Sequence, residues 1–130
     1  MSLQRKVIAP PLPGLDAKRN FNQQASVVVR GGAFLFVSGL TAVDPLTGGR
    51  NHGPIAEQVR TTLNNVKHML ESTGSSLERV VRVHVVLADI ADMDRVYREF
   101  FPVNPPARTA CSMQLRFGNG CEIECVALVD

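Results

Sequence analysis

Residues 56–89 read "AEQVRTTLNNVKHMLESTGSSLERVVRVHVVLAD", and the change of period inside them decides the fold class. In the first half Val59, Leu63, Val66 and Leu70 recur at steps of four, three and four. That spacing lines them along one face of a helix, expected over Ile55–Thr73. Gly74 supplies the stop, because glycine accepts the left-handed backbone that closes a helix. In the second half Val81, Val83, Val85 and Leu87 alternate with Arg82 and His84. An alternation of this kind marks a strand buried on one side only.

Upstream, "SVVVR" and "AFLFVSG" flank Gly31-Gly32, two β-rich runs across a two-glycine turn, which is a hairpin signal. "TAVDPLTGGR" follows with Asp44-Pro45 and Gly48-Gly49 as turn chemistry. Residues 4–20 carry Pro10, Pro11 and Pro13 and a mixed charge run, and read as an irregular arm. Downstream, Asp92 is placed to cap a second helix over Met93–Phe101, ended by Pro102. Two last strands are expected, Arg108–Leu115 and Cys121–Val129, around "FGNG". The order is β-β-α-β-α-β-β: an irregular arm over 1–20 and one α+β domain over 21–130. Two helices cover only one face of such a sheet, so the other face needs a cover, which a self-associating subunit would supply.

Composition narrows the function. The 130 residues are 45% hydrophobic and 20% charged, ordinary for a globular domain. The net charge of +2 is spread over scattered arginines, which gives no basic footprint for nucleic acid. No apolar run approaches the ~20 residues of a membrane span, and no leader of the secretory type opens the chain. A soluble, cytoplasmic protein is expected. Three cysteines fit a reducing compartment better than a disulfide framework. Cys121 and Cys125 would share a strand face roughly 13 Å apart, too far for a disulfide or a shared metal. Small buried hydrophobes are the simplest reading of all three. Motifs for a serine nucleophile, a zinc site, a Walker loop or a dinucleotide are absent, so no metal or cofactor is expected. His52, His68 and His84 do not cluster by spacing.

Chemistry therefore falls to carboxylates, guanidinium and backbone groups. Arg108 follows the stiff pair Pro105-Pro106, which suits a guanidinium held for bidentate capture of a carboxylate. It could equally be a paired arginine on an edge strand. Glu122 and Glu124, two apart, project from the face that carries Val126 and Leu128. A carboxylate partly withdrawn from water has its pKa raised and can handle protons near neutrality. Solvent exposure or salt bridges would serve either glutamate as well. Were the last two strands a direct hairpin, Arg108 and Glu122 would lie ~20 Å apart along the sheet. They would then share a site only between subunits, or with another strand intervening.

"SGLTAVDPLTG", the helix and strand quoted above, "DMDRVYREFF" and "PPART…CEIECVAL" resemble, in order and spacing, the RidA/YjgF family of enamine/imine deaminases. Members were long described as L-PSP endoribonucleases or translation inhibitors. The resemblance spans about residues 25–130. It implies a chorismate-mutase-like α+β fold and a homotrimer with sites in the clefts between subunits. It implies hydrolysis of a small 2-imino acid to the 2-keto acid and ammonia, without cofactor, nucleic acid or membrane. It places the carboxylate-binding arginine on Arg108 and the water-activating glutamate on Glu122. Ser38 and Gly39 would line the pocket, and Asp94 stands where many members carry a substrate-side asparagine. Other departures are Ala25 at the position of a pocket tyrosine, with Phe21 four residues too early, and Ala110 for a cysteine, with Cys111 one place later. The loop before Glu122 is a residue short. These changes remodel the pocket wall while keeping clamp and carboxylate, and leave room for a substrate other than 2-aminoacrylate, including a larger imino or enamine acid of aminomuconate type. A non-catalytic trimer that binds small carboxylates, or acts as a regulatory or chaperone-like partner, is the alternative.

Overall fold

The computed structural model describes residues 4–10, 12–16, 24–90 and 93–130. Six strands form one sheet: β1 (Lys6–Ile8), β2 (Val28–Gly31), β3 (Phe34–Thr41), β4 (Val80–Leu87), β5 (Ala107–Ser112) and β6 (Cys121–Leu128). Two helices, α1 (Ile55–Ser72) and α2 (Met93–Phe100), accompany it. Both helices lie where the sequence put them, the first from its 3.6-residue periodicity and the second from its start and its stop at Pro102. Val59, Leu63, Val66 and Leu70 are all at most 1% exposed, and Ser75 N donates to Leu70 O at 2.8 Å to close α1. The expected cap at Asp92 lies outside the described residues. The β2–β3 hairpin turns at Gly32-Ala33, with Gly32 at φ 58°, one residue later than the sequence suggests.

Strand order is β1-β2-β3-β6-β4-β5, antiparallel except for the parallel pair β4–β5. The last two strands are therefore not a hairpin. A parallel neighbour needs a crossover, and α2 supplies it between β4 and β5. β6 then inserts between β3 and β4. Its side chains explain the preference: Cys121, Ile123, Cys125 and Ala127 are all buried, which suits the middle of the sheet. The β5 residues are exposed or half-buried, which suits an edge.

α1 lies across β3 and β6 and packs on α2, so both helices cover one face. Leu35, Val37, Val83, Val85, Leu87 and Ile123 meet Leu63, Met69 and Val96 there. β4 carries an irregularity between Val80 and Arg82, so Val80 is buried while Val81 is 39% exposed. The strict alternation read from the sequence thus begins at Arg82. The proline-rich arm is more ordered than its composition implies. Lys6–Ile8 pairs along β2, Leu15 joins the core, and Gly14 N donates to Pro45 O at 2.9 Å.

Two of the three buried polar side chains on α1, Asn65 and Gln58, tie loops to the sheet, and the third, Thr62, bonds within the helix. Asn65 Nδ2 donates to Thr41 O and Val43 O, at 3.0 and 2.9 Å. Gln58 donates to Gly53 O and accepts from Gly120 N at 2.9 Å. Thr62 Oγ1 donates to Gln58 O. Through Gln58, the helix sets the loop that leads into β6.

Candidate functional site

Glu122, the second residue of β6, lies on the face without helices, opposite Thr41 of β3 and Val86 of β4. The β3–β6 register slips between Val37 and Leu40, which places Ser38 and Gly39 in a bulge beside it. The carboxylate occupies the space that a side chain at residue 39 would need: a Cβ on Gly39 would collide with it. Ser38 Oγ donates to Ser26 O and Ser38 N to Val27 O, which pins the bulge to the segment before β2. A cavity of about 320 Å³ opens over this point, lined among others by Gly39, Arg50, Met113, Arg116, Phe117 and Glu122. Burial raises the Glu122 pKa above its ordinary value of 4.5. The Arg116 and His84 charges pull it back, and Glu124 pushes it further up. The result is a half-buried carboxylate able to hold and release a proton nearer neutrality than a free glutamate.

Arg108 lies on edge strand β5, opposite Val83. It shares Val83's side of the sheet, the helix side, and points at α2. Its Nη1 donates to Asp94 Oδ1 at 2.8 Å, and its guanidinium stacks 4.8 Å from the centre of the Tyr97 ring. Asp94, Tyr97, Arg98, Phe101, Pro105 and Pro106 line a second cavity with it. Tyr97 is held against Phe101, ring centres 4.8 Å apart. Burial pushes its phenol up to about 12, against the pull of Arg108, and among the described residues its hydroxyl has no hydrogen-bond partner.

The expected site residues therefore form two groups. Glu122, Gly39 and the tethered Ser38 make one, and Arg108 with Asp94 the other. The register Arg108–Val83–Cys125 sets Arg108 two strands and three residues from Glu122, about 14 Å by standard strand spacings. The ~20 Å expected from a direct hairpin is corrected because β4 lies beside β5 and β6 beside β4. The two side chains also point to opposite faces, so one chain does not bring them onto one small molecule.

The Endoribonuclease L-PSP family model matches residues 15–129, nearly the whole chain. The chain belongs to this family. It is 42% identical over 88 residues to a RutC family protein of Pyrococcus horikoshii, covering 65% of this chain and 70% of that one. It is 35% identical over 98 residues to human 2-iminobutanoate/2-iminopropanoate deaminase, covering 72% of each. Yeast Mmf1, in its crystal structure, superposes with a TM-score of 0.85 at 26% identity, covering 98% of this chain and all of that one. These likenesses bear out the RidA/YjgF resemblance and the α+β fold.

Several members of the L-PSP family chain's two cavities were not legible from residue spacing. Arg116 and Phe117 sit in what reads as a plain turn, and no motif singles out Tyr97 within the second helix. Glu124 resolves simply: it faces His84, whose Nδ1 is 3.1 Å from Oε1, while His84 Nε2 lies 3.8 Å from Cys111 Sγ. Strand pairing alone unites these three, on β6, β4 and β5. Cys121 and Cys125 are buried, with thiols pushed up to about 12 by burial. Among the described residues no group of three His, Cys, Asp or Glu side chains is set to hold a metal. None of the described helices is long and apolar enough to cross a membrane.

Proposed function

We propose that this protein is a hydrolytic deaminase of reactive enamine and imine acids, converting a 2-imino acid to the 2-keto acid and ammonia. The observation that carries this is the half-buried Glu122 carboxylate, seated over Gly39 in a cavity with its pKa raised. The names of relatives such as the human deaminase support the same chemistry. Glu122 takes a proton from water as the water oxygen adds to the carbon of the protonated imine, giving a neutral carbinolamine. Glu122 returns that proton to nitrogen; the C–N bond then breaks as the carbinolamine hydroxyl gives its own proton to Glu122, leaving the keto acid and ammonia, and Glu122 releases the proton to solvent. An imine carbon is already electrophilic, so orientation and one proton shuttle suffice. Arg108 clamps the carboxylate by paired hydrogen bonds.

Because Arg108 and Glu122 lie on opposite faces of one chain, the working site joins Glu122 of one copy to Arg108 of another. A homotrimer with sites in its clefts meets that need. The helix-free face supports self-association: it exposes Phe34 (40%), Phe36 (49%) and Leu128 (37%) side by side on paired strands.

The test is keto-acid release from imino acids generated in situ by an amino-acid oxidase, with native protein, Arg108→Ala and Glu122→Gln. Acceleration by the native protein, lost in both variants, is expected. No acceleration for any imino acid overturns the deaminase reading, and a stable monomer in sedimentation overturns the shared cleft. One observation favours a second reading, a non-catalytic trimer that binds small carboxylates only weakly or serves as a regulatory or chaperone-like partner: Asp94 already occupies one nitrogen of the Arg108 guanidinium, which weakens the substrate clamp. Binding of 2-oxobutyrate without turnover would select it.

A further inference from the structure

Glu122 has a cationic neighbour in its own chain that the deaminase reading does not use. Arg116 lines the same cavity, in the short helical turn Arg116–Gly118 just before β6. Among the described residues no carboxylate forms a salt bridge with it; its guanidinium lies 5.2 Å from the centre of the Phe117 ring, and its charge acts on Glu122 across the cavity. Arg50, also lining the cavity, stacks 4.3 Å from the same ring. Phe117 is thus contacted by two guanidinium groups.

The turn is built to hold that arrangement. Phe117 adopts φ 60°, ψ 23°, a left-handed conformation that is strained for an aromatic residue. His52 Nδ1 lies 3.3 Å from Gly118 O, which ties the turn to the 50–53 loop. Gly120 N is held by the buried Gln58 side chain. Two guanidinium groups in a cavity that also holds a carboxylate make a place for an anion, and guanidinium suits a carboxylate.

Arg116 and Glu122 line one and the same cavity of about 320 Å³, so a single ligand can meet both side chains. We propose that Arg116, with Arg50 beside it, binds a second carboxylate, and that the preferred substrates are 2-imino dicarboxylic acids rather than 2-imino monocarboxylic ones. This rests on the deaminase reading of the same cavity. One carboxylate is clamped by Arg108, the imine carbon meets the water held at Glu122, and the distal carboxylate reaches Arg116. Arg116 is a specificity residue in this scheme.

The experiment has two arms. In the first, calorimetry compares binding of 2-oxoglutarate and 2-oxobutyrate, the product-like di- and monoacids, to native protein, Arg116→Gln and Arg116→Lys. Native protein should favour the diacid by about tenfold or more, as expected for one charged hydrogen-bonding pair. Arg116→Gln should erase that ratio and Arg116→Lys restore part of it. In the second arm, the kcat/KM ratio for 2-iminoglutarate over 2-iminobutanoate is measured in the same three proteins, with the same ordering expected. Equal affinity for both acids in native protein, or a ratio that survives Arg116→Gln, overturns the proposal. If no imino acid is hydrolysed yet the binding ratio behaves as stated, the deaminase reading fails and the Arg116 site stands.

Discussion

Replacing Asp94 by Asn should tighten carboxylate binding, because the aspartate competes with ligand for Arg108. Asp94 Oδ1 accepts from Arg108 Nη1 at 2.8 Å, with the two side chains 64% and 29% exposed. Asparagine keeps an oxygen for that hydrogen bond and removes the charge. Two contributions follow. Releasing a half-exposed ion pair returns up to about 1 kcal/mol of guanidinium interaction to an incoming carboxylate. Removing a like charge about 5 Å from the ligand carboxylate returns about 0.8 kcal/mol in a water-like dielectric. Together they come to about 1–2 kcal/mol, or about five- to thirtyfold in affinity. The assay is calorimetric titration with 2-oxobutyrate, which suits a chain with no tryptophan to report binding by fluorescence. Both contributions are screened, so the gain should shrink at 1 M salt, where the Debye length is about 3 Å. Asp94 does not compete with ligand if Asp94→Asn binds no more tightly than the native protein, or if Arg108→Ala leaves binding unchanged.

Gly39→Ala should displace the Glu122 carboxylate, since the new methyl group would meet it. Imine hydrolysis is expected to fall by about a hundredfold, the scale for a catalytic group moved by about 1 Å; unchanged kinetics would place the working carboxylate elsewhere. Glu122→Gln should stabilise the protein near neutral pH. The native carboxyl titrates above 4.5 because of burial, so its stabilising contribution is complete below about pH 4.5 and is lost as pH rises through the raised pKa. Thermal melts of native and Glu122→Gln protein should therefore converge at pH 4 and separate at pH 8; a gap that widens on acidification reverses the sign. Thiol titration of the native protein should find at most one fast cysteine, lost in Cys111→Ser, because Cys121 and Cys125 are buried with thiols raised to about 12. Two or three fast thiols would contradict the buried positions on β6.

The elements themselves are written locally. Val59, Leu63, Val66 and Leu70 specify a helical face whichever strands they meet, and the Gly31–Ala33 turn specifies a hairpin within a few residues. Glu122 was legible as a candidate because a charge among apolar neighbours is costly at any register. Pairing is different, since it compares segments far apart in the chain. "PPARTACS" and "CEIECVAL" look like consecutive hairpin strands until the burial of Cys121, Ile123, Cys125 and Ala127 draws β6 between β3 and β4, and α2 carries β5 to the edge. That single change of neighbours turns Arg108 toward Asp94 and Tyr97, and sets Glu122 over Gly39 in one cavity with Arg116. Periodicity determined which residues form helices and strands, through the geometry of neighbouring bonds. Only the tertiary structure decided which charges share a cavity, because that depends on burying the whole apolar face of the sheet at once.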